Sequence, residues 1–154
     1  MIVEYEGCYI LNKDIMYLIK LNNKIFRTTQ VYVDKLLKTY ELSSGSYPYL
    51  LILKDNEGIS QNEISRELGY DKAMSARTII KLIKLGYLDR KEDEEDARAY
   101  KLYLTDKAKN IIPEILEGIH KLTHLITVDL NEEEKSITID SLNKILINIK
   151  KIKL

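Results

Sequence analysis

Residues 60–86 read SQNEISRELGYDKAMSARTIIKLIKLG, and the fold turns on how they are parsed. Ser60 and Glu63 have the spacing of a capping box, in which a hydroxyl accepts from the third helical amide and the glutamate reaches back to the amide of the cap. Ile64 and Leu68 follow four apart on one helical face, and Gly69 ends that helix. A second helix begins near Asp71 or Lys72 and stops at Gly86, a residue free to take the left-handed exit. Ile79, Ile80, Leu82 and Ile83 supply it with a stripe to bury. Two short helices joined by a three-residue turn make a helix-turn-helix.

Downstream, residues 90–105 read RKEDEEDARAYKLYLT. Tyr100, Leu102 and Leu104 alternate with Ala99, Lys101 and Tyr103, which predicts a hairpin with a charged tip. Thr105 then caps a helix through about Val128; inside it Pro113 deletes one backbone hydrogen bond, costs about 3 kcal/mol and is expected to bend it. Asn131 with Glu134 opens a last helix, where Leu142, Ile145, Leu146, Ile149 and Ile152 recur at heptad-like spacing. Upstream, apolar residues at helical spacing predict one long helix from about Asn12 to Leu42. LSSGS at 42–46 breaks it, YPYLLILKDN forms a short helix with Pro48 in its first turn, and a loop runs through Gly58. No internal repeat is present. A winged unit of roughly fifty residues is too small to cover three long amphipathic helices, so the terminal helices are expected to pack together and against a second copy of the chain.

Composition narrows the functions. At 154 residues and 45% hydrophobic, the chain suits one compact domain with helical extensions. Lys plus Arg equals Asp plus Glu at 24 each, so any attraction for nucleic acid must come from local charge. A single cysteine, Cys8, excludes an intrachain disulfide and fits a reducing cytosol. The longest apolar runs, such as YLLIL at 49–53, are far too short to span a bilayer, and the N-terminus lacks the basic start and apolar middle of a signal peptide. A cytoplasmic location and no membrane partner are expected. No Gly-rich phosphate loop, nucleophile motif or acid/base pair marks an enzyme, and no cofactor is implied.

Helix, turn, helix, charged hairpin and capped helix, in that order, describe a winged helix-turn-helix in a mainly α chain. GYLDR at 86–90, the pair Asp96 and Arg98, and Leu104–Thr105 make the sequence resemble the MarR-type transcriptional regulators, and the flanking helices extend that resemblance over nearly the whole chain. The resemblance implies a single domain over 1–154. Its long helices, 12–42 and 106–154, would dimerise, and 46–105 would form the winged DNA-binding lobe. It implies a homodimer on a pseudo-palindromic double-stranded DNA operator with half-sites about 34 to 36 Å apart. It also implies that Arg98 enters the minor groove while Asp96 holds its guanidinium, a task suited to a planar, rigid cation. Glu92, Asp93, Glu94 and Glu95 are then a solvated tip.

On the second helix of the motif, Arg77 stands where such helices place a base- or phosphate-contacting arginine, and Lys72, Ser75, Ala76, Thr78 and Lys81 are spaced to share its face or N-terminal end. Ser75 stands where helix-turn-helix sequences bury an aliphatic residue; either Met74 replaces that packing by a small rotation, or the register shifts by one. The resemblance implies a cleft for a small aromatic or other effector, for which Tyr32, Tyr47 and Tyr49 are candidates within a group that also holds Tyr40. His120 and His124 have the spacing of two metal ligands on one helix, but no third ligand lies near in sequence, and ordinary interface histidines are the plainer reading. Cys8 has no adjacent Lys, Arg or His to activate it and reads as a small apolar residue. The expected function is a ligand-responsive repressor. The alternatives are a winged-helix interaction adaptor without DNA binding, or a metal or small-ligand sensor.

Overall fold

The computed structural model describes residues 9–92 and 100–152 and is mainly helical with one small antiparallel sheet. In chain order the elements are α1 (Tyr9–Leu37), α2 (Tyr47–Asp55), β1 (Ile59–Ser60), α3 (Gln61–Leu68), α4 (Lys72–Lys84), β2 (Leu88–Glu92), β3 (Tyr100–Leu104), α5 (Asp106–Ile126) and α6 (Glu132–Lys151). The chain divides into two compact units, Met1–Ile115 and Leu116–Leu154.

In the first unit, α1 starts earlier and stops sooner than the expected span of 12–42. It ends at Leu37 and tightens into a 3-10 turn over Lys38–Tyr40. Glu41 then takes the left-handed conformation at φ 58, so that the Leu42 amide donates to the Leu37 carbonyl at 3.2 Å. Leu37 and Leu42 are both buried, and the turn between them brings the second back onto the core beside the first. A non-glycine residue performs this exit, ahead of the LSSGS stretch at 42–46 where the break is expected from the sequence. Ser46 knots the following loop: its Oγ accepts from the Ser43 amide at 2.8 Å. Pro48 then lies in the first turn of α2, where its missing amide has no intrahelical partner to lose.

Both expected capping boxes form, with Ser60 and Glu63 at α3 and Asn131 and Glu134 at α6. Gly69 and Gly86 take left-handed exits at φ 66 and 74. The three strands pair in the order β1-β3-β2, with Leu88 opposite Leu104 and Ile59 opposite Leu102. β1 is too short to show in a sequence pattern. Gly58, at φ 84, donates its amide to the Leu102 carbonyl at 2.9 Å and turns the chain into that pairing. Leu102 and Leu104 face inward as expected, but Tyr100, the third member of that alternation, is exposed. Beneath the sheet lie Leu50, Leu53, Ile64, Leu82 and Leu88, each at most 1% exposed. Thr105 caps α5 by accepting from the Ala108 amide at 3.2 Å while its hydroxyl donates to the Gly86 carbonyl at 2.7 Å, which ties the foot of the hairpin to the end of α4. α5 runs through Pro113 as one element.

In the second unit, α6 has no buried residue among those described; Leu142, Leu146 and Ile149 stand open on it, and Ile152 is exposed just past its end.

Glu57 joins three elements of the first unit. Its carboxylate accepts from the Leu104 amide at 3.0 Å and pairs with Lys109 Nζ at 3.1 Å. The Lys109 hydrogen bond, helped by the Leu104 amide and opposed by desolvation, holds its carboxyl below the ordinary carboxylate range. A depressed folded-state pKa means stabilisation that is full above the unfolded-state value and is lost as pH falls through the folded-state value. Glu57→Gln keeps an acceptor for Leu104 but removes the charge. Urea denaturation should show the wild type more stable than Glu57→Gln at pH 7, with the gap closing as pH drops below the ordinary carboxylate range; a gap independent of pH would contradict this.

Candidate nucleic-acid interface

The first turn of α4 is built by Asp71, whose Oδ1 accepts from the amides of Ala73 at 2.8 Å and Met74 at 3.1 Å. Behind that turn the Tyr49 hydroxyl donates to Ser75 Oγ at 2.9 Å, and both residues are 0% exposed. The Tyr49 ring lies 6.1 Å from that of Tyr70, in the turn of the motif. Ser75, Ile79 and Leu82 therefore point inward. The opposite arc carries Ala73, Met74, Arg77, Ile80, Lys81 and Lys84 to solvent, and Lys72 is exposed at the N-terminal end.

Several expectations change with this orientation. Ser75 is not on the outer face: it occupies the inward position as a polar residue, satisfied by a tyrosine from α2, and Met74 does not rotate in to replace it. Ile80 leaves the buried stripe and is 51% exposed. Ala76 and Thr78 are half-buried at the edges of the arc, and the Thr78 hydroxyl is engaged with the Met74 carbonyl at 3.0 Å. Arg77, Lys72 and Lys81 stand where a ligand in front of the helix would meet them.

Beside α4, β2 and β3 form the base of the wing. Arg90 lies over the Tyr100 ring at 4.8 Å and Lys91 over Tyr103 at 4.6 Å, so tyrosines flank the cations along the hairpin. Asp96 and Arg98, with Asp93, Glu94 and Glu95, lie outside the described residues. At the mouth of the motif Asn62, Ser65, Arg66, Tyr70 and Lys72 line an open hollow of ≈ 300 Å³. Asn62, Arg66 and Tyr70 are not candidates by sequence, where helical spacing points to the second helix of the motif. Their signal is positional: polar donors on the first helix and turn that flank the N-terminus of the second.

Tyr49 is a core residue rather than a ligand contact, since its hydroxyl is engaged and its ring enclosed. Tyr32 is exposed beside Lys35, Tyr40 donates to Glu114, and burial raises the Tyr47 phenol, with Tyr70 adding to the shift. His120 and His124 are exposed. Among the described residues no group of three or more His, Cys, Asp or Glu side chains is placed to hold a metal ion, and no helix is long and apolar enough to cross a membrane.

The MarR family signature matches residues 40–99, which run from the turn after α1 to the wing. The transcriptional regulator BilQ of Clostridioides difficile is 33% identical over 68% of this chain and 71% of its own. The chain belongs to the MarR family. A MarR transcriptional regulator from Methanosarcina mazei Go1 shares the fold with a TM-score of 0.80 at 31% identity, over 90% of this chain and 99% of the other. A mutant MarR from E. coli, crystallised with operator DNA, has the same fold with a TM-score of 0.79 at 19% identity, over 86% of this chain and 96% of its own. As a MarR-family member the protein is a transcriptional regulator and not an enzyme. The winged helix-turn-helix expected from the sequence is the fold observed.

Ser75 and Tyr49 are predicted to be energetically coupled. Tyr49→Phe or Ser75→Ala should each destabilise the protein by about 1 to 3 kcal/mol by leaving a buried hydroxyl unpaired, while the double variant should recover part of that loss. A double-mutant cycle by urea denaturation measures it; strictly additive losses would show that the two hydroxyls do not depend on each other.

Proposed function

We propose that this protein binds double-stranded operator DNA as a homodimer, laying α4 in the major groove and the β2–β3 wing along the neighbouring minor groove. The observation that carries the reading is the outward arc of α4. Lys72, Arg77, Lys81 and Lys84 face solvent on a helix whose inner side is pinned by Tyr49 and Ser75. The chain has no net charge, so cations gathered on one helix face create the local field that phosphates require. Arg66 and Tyr70, in the hollow ahead of α4, suit backbone contacts that position rather than specify. At the wing, Arg98 is assigned to the minor groove and Asp96 to holding its guanidinium.

The second copy is proposed from apolar surface. Met16, Ile19, Ile25 and Phe26 on α1, and Leu142, Leu146 and Ile149 on α6, are all close to half exposed or more, beyond what an isolated soluble chain usually presents. Segments 12–42 and 106–154 are assigned to dimerisation and 46–105 to the DNA-binding lobe, in a cytoplasmic protein. A bound dimer would occlude its operator and so repress. A small effector near Tyr32 or Tyr47 would release it by favouring a lobe spacing that no longer matches the half-sites. The acidic run at 92–96 and the balanced charge favour a second reading, an interaction adaptor that keeps the fold without binding DNA.

Selection from a random duplex pool separates the two. A palindromic site bound with a steep salt dependence is expected; no enriched sequence would leave the adaptor reading standing. On the selected duplex Arg77→Ala should cost about 1 to 3 kcal/mol if it reads a base, and should chiefly reduce the salt slope if it meets phosphate. Arg98→Ala should weaken binding, and unchanged affinity would remove the wing from the interface. Leu146→Asp should lower the molar mass seen by light scattering from dimer to monomer; a monomeric wild type would overturn the dimer.

A further inference from the structure

Between Tyr47 and Ile115 only three large apolar side chains among the described residues are exposed: Met74 at 38%, Ile80 at 51% and Tyr100 at 41%. Tyr100 is covered by the Arg90 guanidinium at 4.8 Å. The other two share α4, and both flank Arg77. With about 100° of rotation per residue, Met74 and Ile80 each lie about 60° from Arg77, one on either side, and about 9 Å apart along the axis. That span is close to three base-pair steps of about 3.4 Å. The outward arc of α4 is thus an arginine between two apolar groups, rather than a uniformly basic face.

An exposed apolar side chain gains nothing from a phosphate. In the major groove it gains by covering the C5-methyl of thymine, the one apolar group a base edge presents there, while an arginine between two such contacts pairs with the O6 and N7 of guanine. We propose that Met74 and Ile80 are specificity-determining residues that each read a thymine methyl, so that each half-site carries thymines on both sides of the base pair met by Arg77. The proposal rests on the DNA-binding reading and adds the chemistry of the sequence it selects.

The test uses the full-length protein and the duplex recovered by selection, with each thymine of the half-site replaced in turn by deoxyuridine, which lacks only the methyl. Wild-type affinity, read by fluorescence anisotropy, should fall about fourfold at each of two positions and hold elsewhere. Ile80→Ala should bind the thymine duplex about fourfold or more weakly and be indifferent to uridine at one of those positions; Met74→Ala should be indifferent at the other. Ile80→Val should retain the sensitivity, and thermal melting should show all three variants folded at the assay temperature, since neither position belongs to the buried core. Wild-type affinity that ignores every uridine substitution, or alanine variants that keep the full wild-type sensitivity, would overturn the proposal. Those results would leave operator binding itself intact, whereas loss of salt-dependent binding to every duplex would remove the reading beneath it.

Discussion

A hydrogen bond between two fully buried hydroxyls, Tyr49 donating to Ser75, sets which way α4 faces. A serine at an inward helical position is unstable unless its oxygen finds a partner, and a tyrosine enclosed in a core has the same need. Each satisfies the other. An aliphatic residue at 75 would strand the phenol, and a phenylalanine at 49 would strand the serine, so neither substitution is neutral alone. The pair also fixes rotation. If Met74 packed inward instead, α4 would turn by about 100° and carry Arg77 off the outward arc. The cap at Asp71, bonded to two amides of the same turn, holds the helix axially at the place where the side-chain pair holds it in rotation.

Around that helix the remaining contacts pin the wing by its foot. Thr105 bridges the end of α4 and the start of α5, and Lys107 donates to the Leu85 carbonyl while lying over the Tyr87 ring at 4.3 Å. Tyr87, buried so that its phenol is pushed up, donates in turn to the Tyr40 carbonyl at 2.9 Å. The hairpin base is thereby tied both to α4 and to the turn that ends α1. A displacement of that turn would therefore be felt at the hairpin base through these hydrogen bonds.

What could be read from the sequence, and what could not, divides along a physical line. Capping boxes at Ser60 and Asn131, left-handed glycines at 69 and 86 and the alternation at Leu102 and Leu104 are local, and each appears as its spacing requires. The misses are tertiary. Glu41 takes a left-handed turn because Leu42 has a core to enter, and β1 exists because Leu102 offers it a ladder. Ser75 breaks the expected apolar pattern, and its reason lies twenty-six residues away in the Tyr49 hydroxyl, which no local spacing reveals. Ile80 reads as core by spacing, yet neighbouring Ile79 and Leu82 fill the inward side and leave it outside. Periodicity identifies a stripe, but only packing decides its edges.

The two kinds of exposed apolar surface on this chain call for different occupants. On α1 and α6 the exposed apolar residues recur over several turns, among them Met16, Ile19, Ile25 and Phe26 on the first and Leu142, Leu146 and Ile149 on the second. A stripe of that extent is best removed from water by another helix with the same pattern, as the proposed second copy would supply by symmetry. On α4 the exposed apolar groups are single side chains set between arginine and lysines. A protein helix covering Met74 and Ile80 would have to desolvate Arg77 and Lys81 as well, at a loss that two small apolar contacts do not repay. A duplex groove removes that conflict, because its phosphates and guanine edges take the cations while its methyls take the apolar groups. The same helix face that is poorly suited to a protein partner is well matched to DNA, and this is why the apolar residues there add to the nucleic-acid reading instead of weakening it.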